Sequence, residues 1–322
     1  MSLLKLRLSM VGTLAVLIGA STLFFTIILS LMGVMNILAL LFLVIIFNIV
    51  QWLVAPYLIG ALYRTKEVSK SDNPTLYGMV ERLSRKINLK MPRLMIANIS
   101  IPNAFAYGSP IAKSRVAVTT GLLNELEEEE VEAVVGHELS HLKHKDVQIM
   151  MFASVLPAIF YYIGFSMMMS GSYGGGRQRE GGAAPILIGI ACMAIYWILT
   201  LFVLGLSRLR EYYADQRSAS IVQDGGRKLS EALAKIVAST SKMKRYRKEV
   251  SGLSSFRALF IEDPNRAERD EVAIGRTAML RTDQQLVQEV LSRRVTLLDR
   301  VLELLSTHPN IVKRLQALQR MA

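Results

Sequence analysis

The sequence predicts a mainly α-helical membrane protein, in which four transmembrane helices accompany a polar part that contains a small β-sheet. The 322 residues are 52% hydrophobic and their mean hydropathy is +0.34, which is high for an ordinary soluble protein. Three long stretches also lack any charged residue, namely 8–63, 147–176 and 181–207. Because a bilayer core requires about 20 apolar residues, the first stretch is long enough for two crossings and each of the others for one.

The four spans are predicted at 8–32, 36–62, 148–170 and 184–206. Buried helices of a large soluble core are the alternative, but the apolar runs of such helices seldom exceed about 14 residues. The first run is also too long for the apolar segment of a signal peptide, so we expect it to remain as an anchor.

The distribution of Lys and Arg predicts the orientation of these spans. Two precede the first span, none lies between the first two spans, twelve lie in 64–146, two in 171–182 and twenty-two after residue 207. Since basic residues are enriched in cytoplasmic segments, a multi-pass protein of the cell membrane is predicted, with both termini and 64–146 in the cytoplasm. The net charge of +12 is then explained by contact with anionic lipid and does not require nucleic acid.

Four parts are predicted along the chain: a first pair of spans (1–63), a cytoplasmic part with the sheet (64–146), a second pair of spans (147–206) and a helical cytoplasmic part (207–322). The single cysteine, Cys192, lies within the fourth span and is expected to be a packing residue. Because the chain has only one cysteine, it can form neither an internal disulfide nor a cysteine-based zinc site.

A helix followed by a small sheet is predicted after the second span. Asp72 or Asn73 can cap an amphipathic helix over 75–88, with Pro74 in its first turn. Short runs rich in β-branched and aromatic residues then predict strands at 93–97, 103–108 and 115–120, with a turn at 108–110.

The segment 127–146 has the apolar periodicity of a helix, and the four acids 127–130 suit the positive end of its dipole. His137 and His141 are four residues apart, so both imidazoles can reach one ion. Zn²⁺ suits such ligands, and Glu138 beside them could act as a general base. The alternative is a surface helix that carries these residues by chance.

A carboxylate that could complete this site follows the fourth span. The segment 207–220 is predicted to continue the fourth helix into the cytoplasm, with Glu211 and Asp215 on one face. Two histidines need a third protein ligand, and Glu211 could serve, while Asp215 one turn later could orient a ligand imidazole. The alternative is that both acids pair with Arg208 or Arg217 on a solvated face.

The remaining tail predicts amphipathic helices at 229–238 and 285–306 and a further helix at 311–318. Thr307-His308-Pro309 lies between the last two. The basic run 242–248 is expected to be a solvated face or a contact with lipid headgroups rather than a nucleic-acid site.

Taken together, these motifs resemble the HtpX-type membrane zinc metallopeptidases, which are gluzincins related to the prenyl-protein endopeptidases. The placement of two spans before the histidine helix and two between it and Glu211 also matches that family. The matching segments are Asn103-Ala104-Phe105-Ala106, His137-Glu138-Leu139-Ser140-His141 with Asp146, Glu211-Tyr212-Tyr213-Ala214-Asp215, and Thr307-His308-Pro309 with Arg314 and Leu315.

The resemblance implies a cytoplasmic zincin-like catalytic domain that contains the small sheet and binds one Zn²⁺ per chain. It implies Glu138 as the catalytic base and His137, His141 and Glu211 as the metal ligands. The residues that it implies as supports of the ligands or of the reaction are Asp146, Asp215, His308 and Arg314. The residues that it implies at the substrate cleft are Asn103, Ala104, Phe105 and Ala106.

The resemblance also implies a function: hydrolysis of misfolded or damaged membrane proteins on the cytoplasmic side, as part of protein quality control and the stress response. One alternative is a processing peptidase for a defined membrane or lipidated substrate, although four spans cannot enclose the large chamber of the prenyl-protein endopeptidases. Another is a membrane scaffold with a structural zinc, but structural sites have four protein ligands. A nucleic-acid binder lacks support, because the basic tail has no recognised nucleic-acid-binding motif.

Overall fold

The computed structural model describes residues 37–173, 183–243 and 282–321. Within them the chain is mainly helical with one small sheet, as predicted. The helices are α1 (Ile37–Leu62), α2 (Pro74–Lys86), α3 (Thr120–Glu125), α4 (Glu128–Lys143), α5 (Asp146–Tyr173), α6 (Ala183–Ile221), α7 (Gly225–Met243), α8 (Asp283–Leu291), α9 (Leu297–Leu304) and α10 (Ile311–Gln319). The strands are β1 (Thr65–Glu67), β2 (Arg93–Ala97), β3 (Ala104–Ser109) and β4 (Lys113–Thr119).

The chain divides into two compact units. The first contains the described residues up to Trp52 together with those of Gln148–Gly205, and its buried centre is a cluster of aromatic residues around Tyr162 and Tyr196. The second contains Leu53–Val147 and the described residues from Leu206 onwards. Its core is formed by apolar side chains of α2, α4, α7, α8 and α10 together with the sheet.

The sheet of the second unit has the strand order β1-β2-β4-β3, with β2 and β4 parallel and the other neighbours antiparallel. The three predicted strands are present, and β3 extends to Ser109, so the turn begins at Pro110. Sequence patterning missed β1, because Thr65-Lys66-Glu67 is polar and largely exposed. The order of the strands leaves β3 at an edge, where it packs beside α4.

Helix α2 begins where the sequence predicts. The Asn73 side chain accepts a hydrogen bond from the Leu76 amide at 3.0 Å, and Pro74 occupies the first turn. The helix ends at Lys86, two residues before the predicted end, because Asn88 adopts a left-handed backbone with φ of 52°.

The predicted helix 127–146 is two helices. Helix α4 ends at Lys143, and α5 begins at Asp146. Lys145 between them has φ of 56°, a left-handed backbone conformation that interrupts a right-handed helix. Asp146 therefore lies at the start of α5, across a turn from the histidines of α4.

The predicted second, third and fourth spans correspond to α1, α5 and α6, while the predicted first span, 8–32, lies outside the described residues. Among the described residues, one helix, Ala184–Ile221, is long and apolar enough to cross a membrane, and two shorter apolar stretches lie at Trp52–Leu62 and Leu156–Met168. Helix α6 also continues to Ile221, which confirms that Glu211 and Asp215 extend the predicted fourth helix.

The tail departs from the prediction at one point. The amphipathic stretch 285–306 is divided into α8 and α9, because Thr296 starts a new helix by pairing reciprocally with Asp299. Helix α10 has the predicted position, and α7 is longer than predicted. Of the basic run 242–248, residues 244–248 lie outside the described residues.

Glu130 forms a buried ion pair in addition to its predicted role at the positive end of the helix dipole. Its side chain is 1% exposed and lies 2.8 Å from Lys235 Nζ, which also contacts Asp283 at 3.0 Å. Burial raises the pKa of Glu130, and the Lys235 ammonium opposes that shift. The pair thus joins α4 to α7 and α8.

Lys235→Met is expected to lower the free energy of unfolding by about 3 kcal/mol, because it leaves the buried Glu130 carboxylate without its cation. Thermal unfolding of the detergent-purified variants measures this effect. Arg82→Met is the matched control: Arg82 is 63% exposed in its pair with Glu132, and such pairs contribute less than about 1 kcal/mol. Equal melting temperatures for the two variants would contradict the structural role assigned to Lys235.

Candidate metal centre

Three side chains from two helices converge in the second unit. The Nε2 atoms of His137 and His141 on α4 lie 3.1 Å apart. On α6, Glu211 places Oε2 at 3.6 Å from His137 Nε2 and Oε1 at 3.5 Å from His141 Nε2. The donor atoms of the three residues all lie within 4.8 Å of one another, so the group could hold a metal ion.

These distances fit a tetrahedral ion. Zinc–nitrogen bonds of about 2.0–2.1 Å at tetrahedral angles place neighbouring ligand atoms about 3.3 Å apart, and the observed separations of 3.1–3.6 Å bracket that value. Within the described part of the chain, the buried Glu211 Oε2 forms no hydrogen bond of ordinary geometry. A cation between the three residues would satisfy it.

A carboxylate and an arginine hold His137 in orientation. His137 Nδ1 lies 2.9 Å from Asp215 Oδ1, which directs Nε2 towards Glu211. Asp215 accepts two hydrogen bonds from Arg314, from Nε at 2.9 Å and from Nη2 at 2.6 Å. Asp215 and Arg314 are both almost fully buried, so this arrangement is rigid.

His141 has the same kind of support from different residues. Its Nδ1 lies 2.6 Å from Asp146 Oδ2, and the other oxygen of Asp146 forms an ion pair with Arg210. Arg210 also donates to the carbonyl of His144, an exposed residue at the end of α4. Sequence reasoning missed Arg210, because an arginine just beyond a predicted span is an ordinary feature of membrane proteins.

The electrostatics of the cluster favour a bound cation. Burial lowers the pKa of His137, but the carboxylates of Asp215 and Glu211 outweigh burial and raise it to about 10. Burial raises the pKa of Glu211, but His308 and His137 outweigh it and hold the value well below its usual range. Because a metal ligand must be deprotonated, a cation would replace the proton on His137.

Glu138 lies against the edge strand. Its side chain is buried, and its carboxylate accepts a hydrogen bond from the backbone amide of Ala106 on β3. Burial raises the pKa of Glu138, and His141, His137 and the amide lower it only in part. A raised pKa suits a carboxylate that must exchange protons near neutral pH.

In the described residues, no strand pairs with the outer edge of β3, which lies beside this carboxylate. Thr119 donates its amide to the Asn103 carbonyl, so in an antiparallel pair the backbone groups of Phe105 and Tyr107 also face β4. Those of Ala104 and Ala106 point to the outer edge. The structure thus brings the predicted cleft segment, Asn103 to Ala106, next to the candidate metal centre.

The structure also brings His308 and Arg314 to the centre. His308 Nδ1 lies 3.2 Å from Glu211 Oε2, and Arg314 Nη1 lies 3.5 Å from the same oxygen. The alternative in which Glu211 pairs with Arg208 on a solvated face is wrong, because Glu211 is buried and Arg208 donates to backbone carbonyls of Glu303, Leu304 and Ser306.

Asp146→Asn is expected to weaken metal binding by about 10–100-fold, because the His141 imidazole loses its charged partner. Competition with a chromogenic chelator measures the affinity. Asp224→Asn is the matched control, since Asp224 is exposed and has φ of 52°, which asparagine also adopts readily. An unchanged affinity in Asp146→Asn would show that Asp146 does not support the ligand.

Comparison with known proteins assigns the class. The family model of peptidase family M48 matches residues 70–322. The chain is 38% identical over 282 residues to a protease HtpX homolog of Thermoplasma acidophilum, covering 86% of this chain and 83% of that protein. It is 42% identical over 201 residues to a protease HtpX homolog of Methanothermobacter thermautotrophicus, covering 62% and 73%.

The chain therefore belongs to peptidase family M48, and the resemblance to HtpX-type peptidases is confirmed. The fold is also similar to the crystal structure of S. mikatae Ste24p, with a TM-score of 0.57 and 15% identity. The match covers 98% of this chain and 67% of that chain. At this level of identity the similarity concerns the fold alone.

Proposed function

We propose that the chain is a membrane-embedded zinc endopeptidase that cleaves misfolded or damaged membrane proteins on the cytoplasmic side, as part of protein quality control. The observation that carries this proposal is the convergence of His137, His141 and Glu211 beside the buried carboxylate of Glu138. Membership in a peptidase family supports the same chemistry.

The proposed roles follow from the geometry. His137, His141 and Glu211 hold one zinc ion per chain, which when bound supplies a Lewis acid for the scissile carbonyl and makes water more acidic. Glu138 removes a proton from the attacking water and later passes it to the leaving amine. Its burial beside the Ala106 amide keeps the carboxylate in place between these two steps.

His308 and Arg314 have different proposed roles. Arg314 is fully buried and already donates two hydrogen bonds to Asp215, so it positions the support of His137. His308 is placed at the Glu211 side of the centre. We assign it as the donor that stabilises the negative charge developing on the substrate oxygen.

The edge of β3 supports the proposed preference for unfolded substrates. An extended peptide can add to a free sheet edge through main-chain hydrogen bonds, with little dependence on its sequence. Ala104 and Ala106 have small side chains, and the outward-facing backbone groups of Ala104 and the carbonyl of Ala106 suit this contact, while the Ala106 amide donates to Glu138. A folded protein seldom presents such a segment, whereas a misfolded one does.

The membrane placement is part of the proposal. Four spans at 8–32, 36–62, 148–170 and 184–206, with both termini and the metal centre in the cytoplasm, agree with the charge distribution. Glu211 then follows the end of the fourth span by five residues, which corresponds to about 8 Å along a helix. Cleavage is accordingly proposed close to the bilayer surface.

The test is reconstitution of the full chain in vesicles with a membrane protein that is supplied in a native and a destabilised form, with Glu138→Gln as the inactive reference. We expect cleavage of the destabilised form at several positions in its cytoplasmic segments, and little cleavage of the native form. A single sharp cleavage site in both forms would instead favour a processing peptidase. Absence of cleavage in either form would favour a scaffold with a structural metal.

A further inference from the structure

Helix α9 has an apolar face that no described part of the protein covers. Leu297, Leu298, Val301 and Leu304 are 79%, 55%, 55% and 54% exposed. Three of them recur at spacings of four and three residues, so they lie on one side of the helix with Leu298 adjoining. The opposite side carries Leu302 and Glu303, which are buried.

The helix is built to hold this face in place. Thr296 accepts a hydrogen bond from the Asp299 amide at 3.2 Å, and Asp299 accepts one from the Thr296 amide at 2.9 Å. At the other end, the buried Glu303 carboxylate contacts Lys313 of α10. The exposed apolar side chains are thus part of an ordered, capped helix.

The position of α9 along α6 is set by Arg208. Its Nη1 donates to the carbonyls of Glu303 and Ser306, both at 2.8 Å. Arg208 follows the predicted end of the fourth span by two residues. The end of α9 therefore lies level with the point at which α6 is proposed to leave the bilayer.

The exposed surface of α6 remains apolar past that point. Leu209 and Tyr213, which lie beyond the predicted end of the fourth span, are 56% and 65% exposed. Their spacing of four residues places them on one side of the helix. The part of α6 near Arg208 and α9 thus presents an apolar surface.

Basic residues lie next to the apolar face of α9. Arg294 precedes the helix, Arg300 lies within it, and both are exposed. Helices that lie in the interface of a bilayer combine an apolar face, whose side chains enter the headgroup region, with basic residues that attract anionic lipids.

We propose that α9 is an interfacial helix that rests on the cytoplasmic leaflet, with Leu297, Val301 and Leu304 immersed among anionic lipids. The proposal rests on the membrane placement proposed above. His308, which contacts Glu211, follows the end of α9 by four residues, so the helix adjoins the proposed active site. Anchoring α9 holds this side of the metal centre at the bilayer surface and favours substrates that are themselves in the membrane.

The test places a bimane label at Val301→Cys in a Cys192→Ala background, with the full chain in nanodiscs of phosphatidylcholine and phosphatidylglycerol. Gln284→Cys is the matched control, because Gln284 is exposed. It follows Asp283, which contacts Lys235, and Lys235 pairs with Glu130 at the start of α4, the end of that helix opposite to the histidines. Lipids brominated in the acyl chain and aqueous iodide are the two quenchers.

Brominated lipid is expected to quench most of the fluorescence at position 301 and little at position 284, with the opposite order for iodide. Equal lipid quenching at the two positions would overturn the proposal. Protection of position 301 from both quenchers would also overturn it, because the face would then be covered by protein. Cleavage of casein by the same labelled samples is read separately, so a failure of the proposed enzyme activity is distinguished from a failure of the interfacial helix.

A variant gives a functional readout. The triple change Leu297→Ser, Val301→Ser and Leu304→Ser is expected to lower cleavage of a membrane-anchored substrate several-fold and to leave cleavage of soluble casein unchanged. Equal losses on both substrates would show that the face does not act through the bilayer, and would contradict this role. Unchanged cleavage of the membrane substrate would contradict the role of α9 in presenting the site to the bilayer.

Discussion

Glu138→Gln is expected to abolish almost all peptide cleavage while the protein stays folded and keeps its metal. The glutamine side chain has nearly the shape of the glutamate side chain, but it cannot accept the proton of the attacking water. General acid–base catalysis typically contributes about 10²–10⁴-fold to the rate. Because Glu138 is not one of the three converging donors, the metal content should not change. Initial rates of peptide cleavage and elemental analysis of the same samples measure the two quantities.

Glu132→Gln on the same helix is the control, since its partly exposed side chain pairs with the exposed Arg82 and is distant from the donors. It should cleave at the rate of the unchanged protein. If Glu138→Gln cleaved at that rate as well, Glu138 could not be the base, and the proposed mechanism would be wrong.

The second large effect is expected for Glu211→Gln, which should lose both the metal and the activity. The carboxylate is the only charged ligand of the three, and the His308 imidazole and the Arg314 guanidinium both lie within 3.5 Å of its Oε2. The loss of affinity should exceed the roughly 10–100-fold that removal of a supporting residue costs. Zinc titration against a competing chelator measures this loss.

Glu125→Gln, an exposed acid at the end of α3, is the matched control and should retain zinc and activity. A Glu211→Gln variant that still bound one zinc ion with unchanged affinity would exclude Glu211 as a ligand. In that case another carboxylate near the histidines would have to complete the site.

Much of the site can be predicted from the sequence, because its main features are local. The spacing of His137 and His141 requires only a helix, and that of Glu211 and Asp215 requires a second one. The length of the apolar stretch before Glu211 predicts that this second helix is continuous. The family resemblance then relates the two helices to each other, and the structure brings all of these side chains together.

Features that depend on distant contacts could not be predicted in this way. Arg210 supports His141 through Asp146, and nothing in the local sequence relates residues that are so far apart in the chain. Glu130 was assigned to the helix dipole, since its partner Lys235 lies more than one hundred residues later. Strand β1 was missed because pairing with β2, and not its own polar sequence, makes it a strand.

The most direct test of the central claim is cleavage of unfolded casein by the detergent-purified protein, before and after treatment with a chelator and after zinc is added back. We expect cleavage by the untreated protein, loss of that cleavage with the chelator, and recovery with zinc. Cleavage that persists after the metal has been removed completely would contradict it, as would one tightly bound zinc ion per chain in a protein that cleaves neither casein nor a destabilised membrane protein.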